Sequence, residues 1–255
     1  MKNDPSQLKV LSIDIGGSHV KATILNNKGD LQMDYEKVVT PSPANPENMI
    51  AAIKNLVSNF PPYDCVSVGF PGYIKNGVVK TAPNLGTDFW TDFDLREKLS
   101  EALNKPVQVV NDADMQGLGI VSGKGFELVI TLGTGFGTAL LSDGQLLPHL
   151  ELAHQPITKN NTYDTYIGEK ALEKIGKRKW NHRLENVLAI LKTVFNYDHL
   201  YIGGGNARKV NFKLDDNVKL VSNEDGIKGG ARLWLTDDTQ EPGTAIKKRK
   251  SPTIL

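Results

Sequence analysis

The sequence predicts an α/β fold made of two halves that repeat one order of elements. Three observations point to it. Each half opens on a strand, a glycine turn and a second strand: Leu8–Ile15, Gly16–Gly17 and Val20–Leu25 in the first, Glu127–Leu132, Gly133–Gly137 and Thr138–Ser142 in the second. Each half then alternates helical and strand patterns. A third glycine turn, Gly203-Gly204-Gly205, follows a late strand. The repeat is one of topology and not of residues.

The elements follow in order. Leu8–Ile15 is rich in Val, Leu and Ile, and Gly16–Gly17 breaks it. Val20–Leu25 reads as a second strand, Asn26–Asp30 as a turn and Leu31–Thr40 as a third strand, an antiparallel meander. Three prolines make Thr40–Pro46 a loop. Across Glu47–Asn59, Ile50, Ile53, Leu56 and Val57 recur at helical spacing. Cys65–Gly69 is a short buried strand, Gly77–Thr81 a hairpin arm, Leu95–Leu103 a helix, and Val107–Val110 a strand leading into a further helix. In the second half Leu146 and Leu147 open a third strand. Helix Leu184–Val194, strands His199–Ile202 and Val218–Val221, and helix Asp225–Leu235 follow. From Thr236 the chain is polar and reads as a fraying tail.

Composition narrows the function classes. At 255 residues the chain can hold two modest lobes or one large domain. Thirty Lys and Arg stand against 29 Asp and Glu, so bulk charge points to no polyanionic partner and any basic patch must be local. Cys65 is the only cysteine. That excludes an internal disulfide and a Cys-rich zinc site, and a reducing cytoplasm is the simplest setting. No apolar run is long enough for a membrane span, and Met1–Gln7 has no signal-peptide core and leaves no room for a helix-turn-helix.

Three glycine turns offer anion sites. Asp14-Ile15-Gly16-Gly17-Ser18 sits where a strand meets a tight turn, so backbone N–H groups can approach a phosphate and Asp14 can hold a hydrated Mg²⁺. A plain hairpin with a surface acid reads equally well. Gly133-Thr134-Gly135-Phe136-Gly137-Thr138 is a second such turn, and since a strand follows it, it is no dinucleotide fingerprint. Gly203-Gly204-Gly205-Asn206 admits a flat group such as adenine, or is a flexible turn. Their order is that of the phosphate and adenosine turns of the actin/hexokinase superfamily, while the P-loop signature is absent.

Asn111-Asp112-Ala113-Asp114 starts directly after a strand. Asp112 is placed to take a proton from an alcohol, or else one of the pair caps the helix. Asp114 reads as a first-turn acid favoured by the helix dipole. Asn84, after Pro83, is a sugar-hydroxyl contact or a turn residue. Glu151 and His154 face one side if helical, for hydroxyl recognition or as a solvated loop; zinc lacks further ligands at useful spacing.

Together these segments resemble the ROK sugar kinases, and within them the polyphosphate/ATP glucokinase branch, over roughly Val10 to Leu235. The resemblance rests on Ile13–Ser18 with Lys21, Gly69-Phe70-Pro71-Gly72, Thr81–Leu85 with Trp90, Asn111–Asp114, Leu132–Gly135, Glu151 with His154, and Gly203–Gly205. It implies two RNase H-like lobes around an interdomain cleft, residues 1–111 and 112–235, with the last helix able to return to the first lobe, and 236–255 a flexible tail. It implies Asp112 as base for a sugar 6-hydroxyl, with Gly72, Asn84, Asn111, Glu151 and His154 around the sugar. Asp14, Gly16, Gly17, Ser18, Lys21 and Gly133, Thr134, Gly135 would hold phosphates, Asp14 would hold Mg²⁺ through water, and Gly204 and Gly205 would flank an adenine. A cytoplasmic homodimer without a nucleic-acid or membrane partner is implied as well.

The chain also departs from the pattern. The family's Glu-x-Gly-His carries Ala153 here, and no cysteine-rich zinc segment follows, so no zinc is expected. Asp164 is the nearest candidate for a further sugar-binding acid. Lys170, Lys174, Lys177, Arg178, Lys179 and Arg183 face one acid, Glu173. They either track a polyphosphate or form a solvated helix face, and the donor stays open between ATP and polyphosphate. The alternatives are a non-catalytic sugar-binding regulator, or a kinase for mannose, N-acetylmannosamine, N-acetylglucosamine or fructose.

Overall fold

A computed structural model describes residues 8–222 and 226–235. Two five-stranded sheets organise it. In the first, β1 (Val10–Ile15), β2 (His19–Leu25) and β3 (Glu36–Val39) form an antiparallel meander, and β4 (Cys65–Phe70) and β7 (Val107–Asn111) add in parallel beyond β1, giving the order β3-β2-β1-β4-β7. The second repeats it. There β8 (Phe126–Leu132), β9 (Phe136–Ser142) and β10 (Gln145–Leu146) make the meander and β13 (His199–Gly203) and β14 (Val218–Leu220) add in parallel, in the order β10-β9-β8-β13-β14. Short hairpins β5/β6 (Ile74–Lys75, Val78–Val79) and β11/β12 (Pro156–Thr158, Asn161–Thr162) lie outside the sheets.

The expected third strand, Leu31–Thr40, is a correction. Leu31 makes only an isolated bridge to Leu25, and regular pairing resumes at Glu36. In between, the Thr23 hydroxyl donates to the Met33 carbonyl at 2.8 Å, which replaces a ladder bond with a side-chain one.

Helices cover the first sheet on both faces. α1 (Pro46–Val57) starts where Asn45 accepts the Asn48 N–H, with Pro46 in the first turn, and α3 (Leu95–Leu103) starts where Asp94 accepts the Glu97 N–H. Their apolar residues, Met49, Ile53, Leu95 and Leu99, pack on Leu11, Ile13 and Ile15. Alternation along β1 turns Ser12 and Asp14 to the other face. That face takes α4 (Asp112–Ile120) and α7 (Gly229–Arg232): Ser12 and Ser67 donate to the carbonyls of Ile227 and Gly230, at 3.3 and 2.6 Å. The end of the described chain therefore lies on the first sheet. Asp225 falls outside the described residues, as does the tail from Thr236.

The second sheet has its own core. Leu128, Ile130 and Leu132 pack against Trp180, Leu184 and Val187 of α6 (Glu169–Phe195). That helix begins 15 residues ahead of the expected Leu184 start and breaks at Gly176, whose φ of 76° is not helical. α2 (Thr87–Trp90) and α5 (Tyr163–Ile167) are short helices in segments where the sequence suggested no element. α4 touches both sheets: Met115 lies against Gly69 of β4, and Gly117 lies against Ala139 of β9. Among the described residues no helix is long and apolar enough to cross a membrane.

Candidate functional site

The C-terminal ends of the parallel strands of both sheets open onto one cleft of about 390 Å³, where sheets of this kind commonly bind ligands. Asp112 lines it. Asn111 is the helix cap: its Oδ1 accepts the Ala113 N–H at 2.8 Å, and its Nδ2 donates to the Gly72 carbonyl at 3.0 Å. Asp112 is the first helical residue, so the N-cap and the candidate base are different side chains. One of its oxygens also accepts the Ala113 N–H, at 2.8 Å.

Glycine is what lets Asp112 come down on the sheet. In β4, Gly69 pairs with Asp14 on one side and Val110 on the other. A Cβ at Gly69 would lie 3.3 Å from the Asp112 Cα and 2.7 Å from the Met115 Cε. With no side chain between them, Asp112 and Asp14 feel each other. Burial, then repulsion from Asp14, pushes the Asp112 pKa up to about 7 against the backbone hydrogen bond that lowers it; Asp114 and Glu151 add to the rise. Burial also raises Asp14, opposed by the Lys21 ammonium 3.8 Å away.

On the first-lobe side Asp14, Gly16, Gly17, Gly72 and Asn84 line the cleft. Gly16 N–H closes the turn onto the His19 carbonyl at 3.0 Å, and Asn84 sits over Gly17. Gly72 is obligatory, since a Cβ there would overlap the Thr81 carbonyl. Ser18 and Lys21 stand at the rim rather than in the lining; Ser18 is exposed on the turn and Lys21 reaches Asp14 from β2.

On the opposite side Gly133, Thr134, Gly135, Gly204 and Gly205 line the cleft. Gly133 N–H closes the turn on the Gly135 carbonyl at 3.1 Å. Asn206 stitches the two glycine turns together, donating from Nδ2 to Gly133 and from its N–H to Leu132, at 3.2 and 2.8 Å. Gly204 has φ 88°, and a Cβ on it would overlap the Leu132 backbone. Asp164 also borders the cleft, its Oδ1 accepting the Phe136 N–H at 2.9 Å beside Gly135.

Glu151 and His154 both line the cleft, Glu151 just ahead of a 3-10 turn, Leu152–His154, and His154 at its end. Beside them is a residue the sequence reading missed. His149 lies in the cleft wall with Nδ1 2.9 Å from Asp114 Oδ2 and Nε2 3.4 Å from Glu151 Oε1, and the His149 and Asp114 side chains are each only 7% exposed. Burial works against a charge on His149, yet the two carboxylates outweigh it and lift its pKa to about 10. Asp114 is the first-turn acid the sequence predicts, and its carboxylate is buried. Two positions apart on a helix, Asp112 and Asp114 point to different sides. The only hint of His149 in the sequence is its i,i+2 spacing from Glu151, which puts both on one side of an extended chain.

A model of the ROK family matches residues 10–151, more than half of the chain. The chain belongs to the ROK family. Among its ROK relatives, a polyphosphate glucokinase of Mycobacterium leprae is 32% identical over 250 residues, covering 92% of this chain and 77% of the relative. The crystal structure of an inorganic polyphosphate/ATP-glucomannokinase from Arthrobacter sp. strain KM superposes with a TM-score of 0.80 at 32% identity, over 89% of this chain and 98% of that one. A ROK glucokinase from Streptomyces griseus, solved with glucose and AMPPNP, shares the fold with a TM-score of 0.71 at 20% identity, over 88% and 98% of the two chains. The repeated five-stranded order is accordingly the two-lobed actin/hexokinase-type architecture of ROK sugar kinases.

Proposed function

We propose that this ROK protein transfers a phosphoryl group from polyphosphate or ATP to the 6-hydroxyl of glucose or a closely related hexose. The observation that carries the reading is the position of Asp112. One cleft is lined by Asp112, by amide, carboxylate and imidazole side chains (Asn84, Asn111, Glu151, His154) and by backbone-rich glycine turns, with Asn84 over Gly17. The side chains suit sugar hydroxyls, the turns phosphates. In this reading Asp112 takes the proton from the sugar O6–H. O6 then forms a bond to the terminal phosphorus as the bond from that phosphorus to its bridging oxygen breaks, releasing ADP or a polyphosphate one unit shorter.

Asp14 fits Mg²⁺: it presents one carboxylate beside the phosphate turn, the donor set this ion accepts alongside phosphate oxygens. When bound there, Mg²⁺ supplies charge neutralisation for the donor. Polyphosphate is supported by the run Lys170, Lys174, Lys177, Arg178 and Lys179, all exposed on α6. That helix begins at the phosphate turn, where the Glu169 N–H reaches the Gly133 carbonyl at 3.0 Å. Arg183 is set apart, since it donates to the Tyr166 carbonyl and stacks on the Tyr166 ring. A sensor of sugar alone needs neither Asp112 nor two phosphate turns, which argues against the regulator reading. A homodimer and a cytoplasmic setting complete the proposal, and light scattering tests the first.

The test is a donor and sugar screen. Purified protein with Mg²⁺, ATP or polyphosphate, and glucose or mannose should give hexose 6-phosphate. Asp112→Asn should lose about 10²–10⁴-fold in kcat. No sugar phosphate from any hexose overturns the kinase reading, and an undiminished Asn variant overturns Asp112 as base.

A further inference from the structure

We propose that His149 is a positioning residue: clamped between Asp114 and Glu151, its ring holds the Glu151 carboxylate in the cleft and ties that loop to the helix bearing Asp112. The inference rests on the kinase reading above.

The geometry carries it. The ring spans two elements, with Asp114 of α4 2.9 Å from one nitrogen and Glu151 3.4 Å from the other. The two nitrogens lie nearest these carboxylates, neither in hydrogen-bond geometry to them, so the hold is that of paired charges and His149 acts through its neighbours. Its ring also stacks on Tyr73 of the first lobe, centroids 6.2 Å apart at 19°. Asp114 has no other ion-pair partner among the described residues, and its Oδ1 is buried without a hydrogen bond. Glu151 is half-buried, and His149 is the main group that favours its ionised form, against burial.

The charge balance explains why a cation is needed at this point. Five acids, Asp14, Asp112, Asp114, Glu151 and Asp164, meet in and around one cleft. Asp114 and Glu151 both raise the Asp112 pKa by repulsion. A charged His149 offsets those two acids without touching Asp112. Removing its charge leaves both carboxylates uncompensated, so Asp112 should be harder to ionise, and Glu151 should lose its fixed position.

The experiment compares His149→Gln with wild type across pH, measuring KM for sugar and for donor separately. Sugar KM should rise about tenfold or more, donor KM should stay within about twofold, and the ascending limb of the kcat/KM profile should move up by about half a pH unit or more. If circular dichroism shows that the single variant does not fold, His149→Gln with Asp114→Asn removes the carboxylate left alone in the interior. The folded double variant should keep the raised sugar KM. Nitrogen-15 spectra of labelled histidine give a readout independent of turnover: His149 should remain an imidazolium at pH 8.5. A folded variant with wild-type sugar KM and an unmoved limb overturns the inference, as does a neutral His149 at pH 8.5. A wild type that phosphorylates no hexose instead overturns the kinase reading beneath it.

Discussion

At the scale of the residue, Asp112 is a carboxylate made costly by its own site. Its pKa rises from the ordinary 3.8 to about 7. An acid raised on folding costs nothing below its unfolded pKa, and the cost grows as pH climbs through the folded value. At pH 8 that cost is of order 2–4 kcal/mol, the lower figure allowing for the group's partial contact with water. Asp112→Asn should therefore melt higher than wild type at pH 8, with the gap closing toward pH 4, even as turnover collapses. A lower melting point for the variant at pH 8 contradicts the account. For the same reason, activity in wild type should rise with pH through an apparent pKa near 7. This residue was legible in the sequence because a strand ended on Asn-Asp. His149 was not, because its partners lie at sequence distances that only the folded chain joins: Asp114 is on a helix of the central layer and Tyr73 is in the other lobe.

At the scale of the element, most strands and the helices α1 and α3 read well, whereas the strand expected at Leu31 and the length of α6 did not. Fully buried strands such as β4 carry a continuous apolar run that announces itself. α6 was half hidden. Its first turns are rich in lysine and interrupted at Gly176, so only the later apolar stretch showed helical spacing. Trp180 anchors the junction by donating to the Ile167 carbonyl at 2.7 Å. The lysines of that first stretch give an element-level prediction. Changing Lys174, Lys177, Arg178 and Lys179 together to Gln should raise KM for long polyphosphate about tenfold or more, while KM for ATP moves little. Equal effects on both donors, or none on either, would remove polyphosphate tracking from α6. The salt dependence of the polyphosphate KM should weaken in the same variant.

At the scale of the whole molecule, the repeated sheet order was visible as a repeat of strand, turn and strand, whereas the packing between the halves was not. It depends on small residues meeting backbone. A Cβ on Gly229 would overlap the Met115 carbonyl, and one on Gly230 would overlap the Ser12 hydroxyl. Gly229→Ala should destabilise the protein by about 1–3 kcal/mol in urea unfolding and lower turnover, because α7 holds the helix that carries Asp112. Unchanged stability would mean that α7 can lift away from α4 freely. Trp234 adds to this seat, donating to the Ser67 hydroxyl at 2.8 Å, and Arg232 donates to the Val121 carbonyl at 3.1 Å.

The return of α7 to the first sheet has a mechanical side. β7 of the first sheet runs directly into α4, and α7, which comes after β14 in the chain, lies back on the first sheet. The chain of the second half is thus pinned to the first sheet at two places, Asn111 at the end of β7 and Gly230 in α7, like a shelf fixed by two screws instead of one.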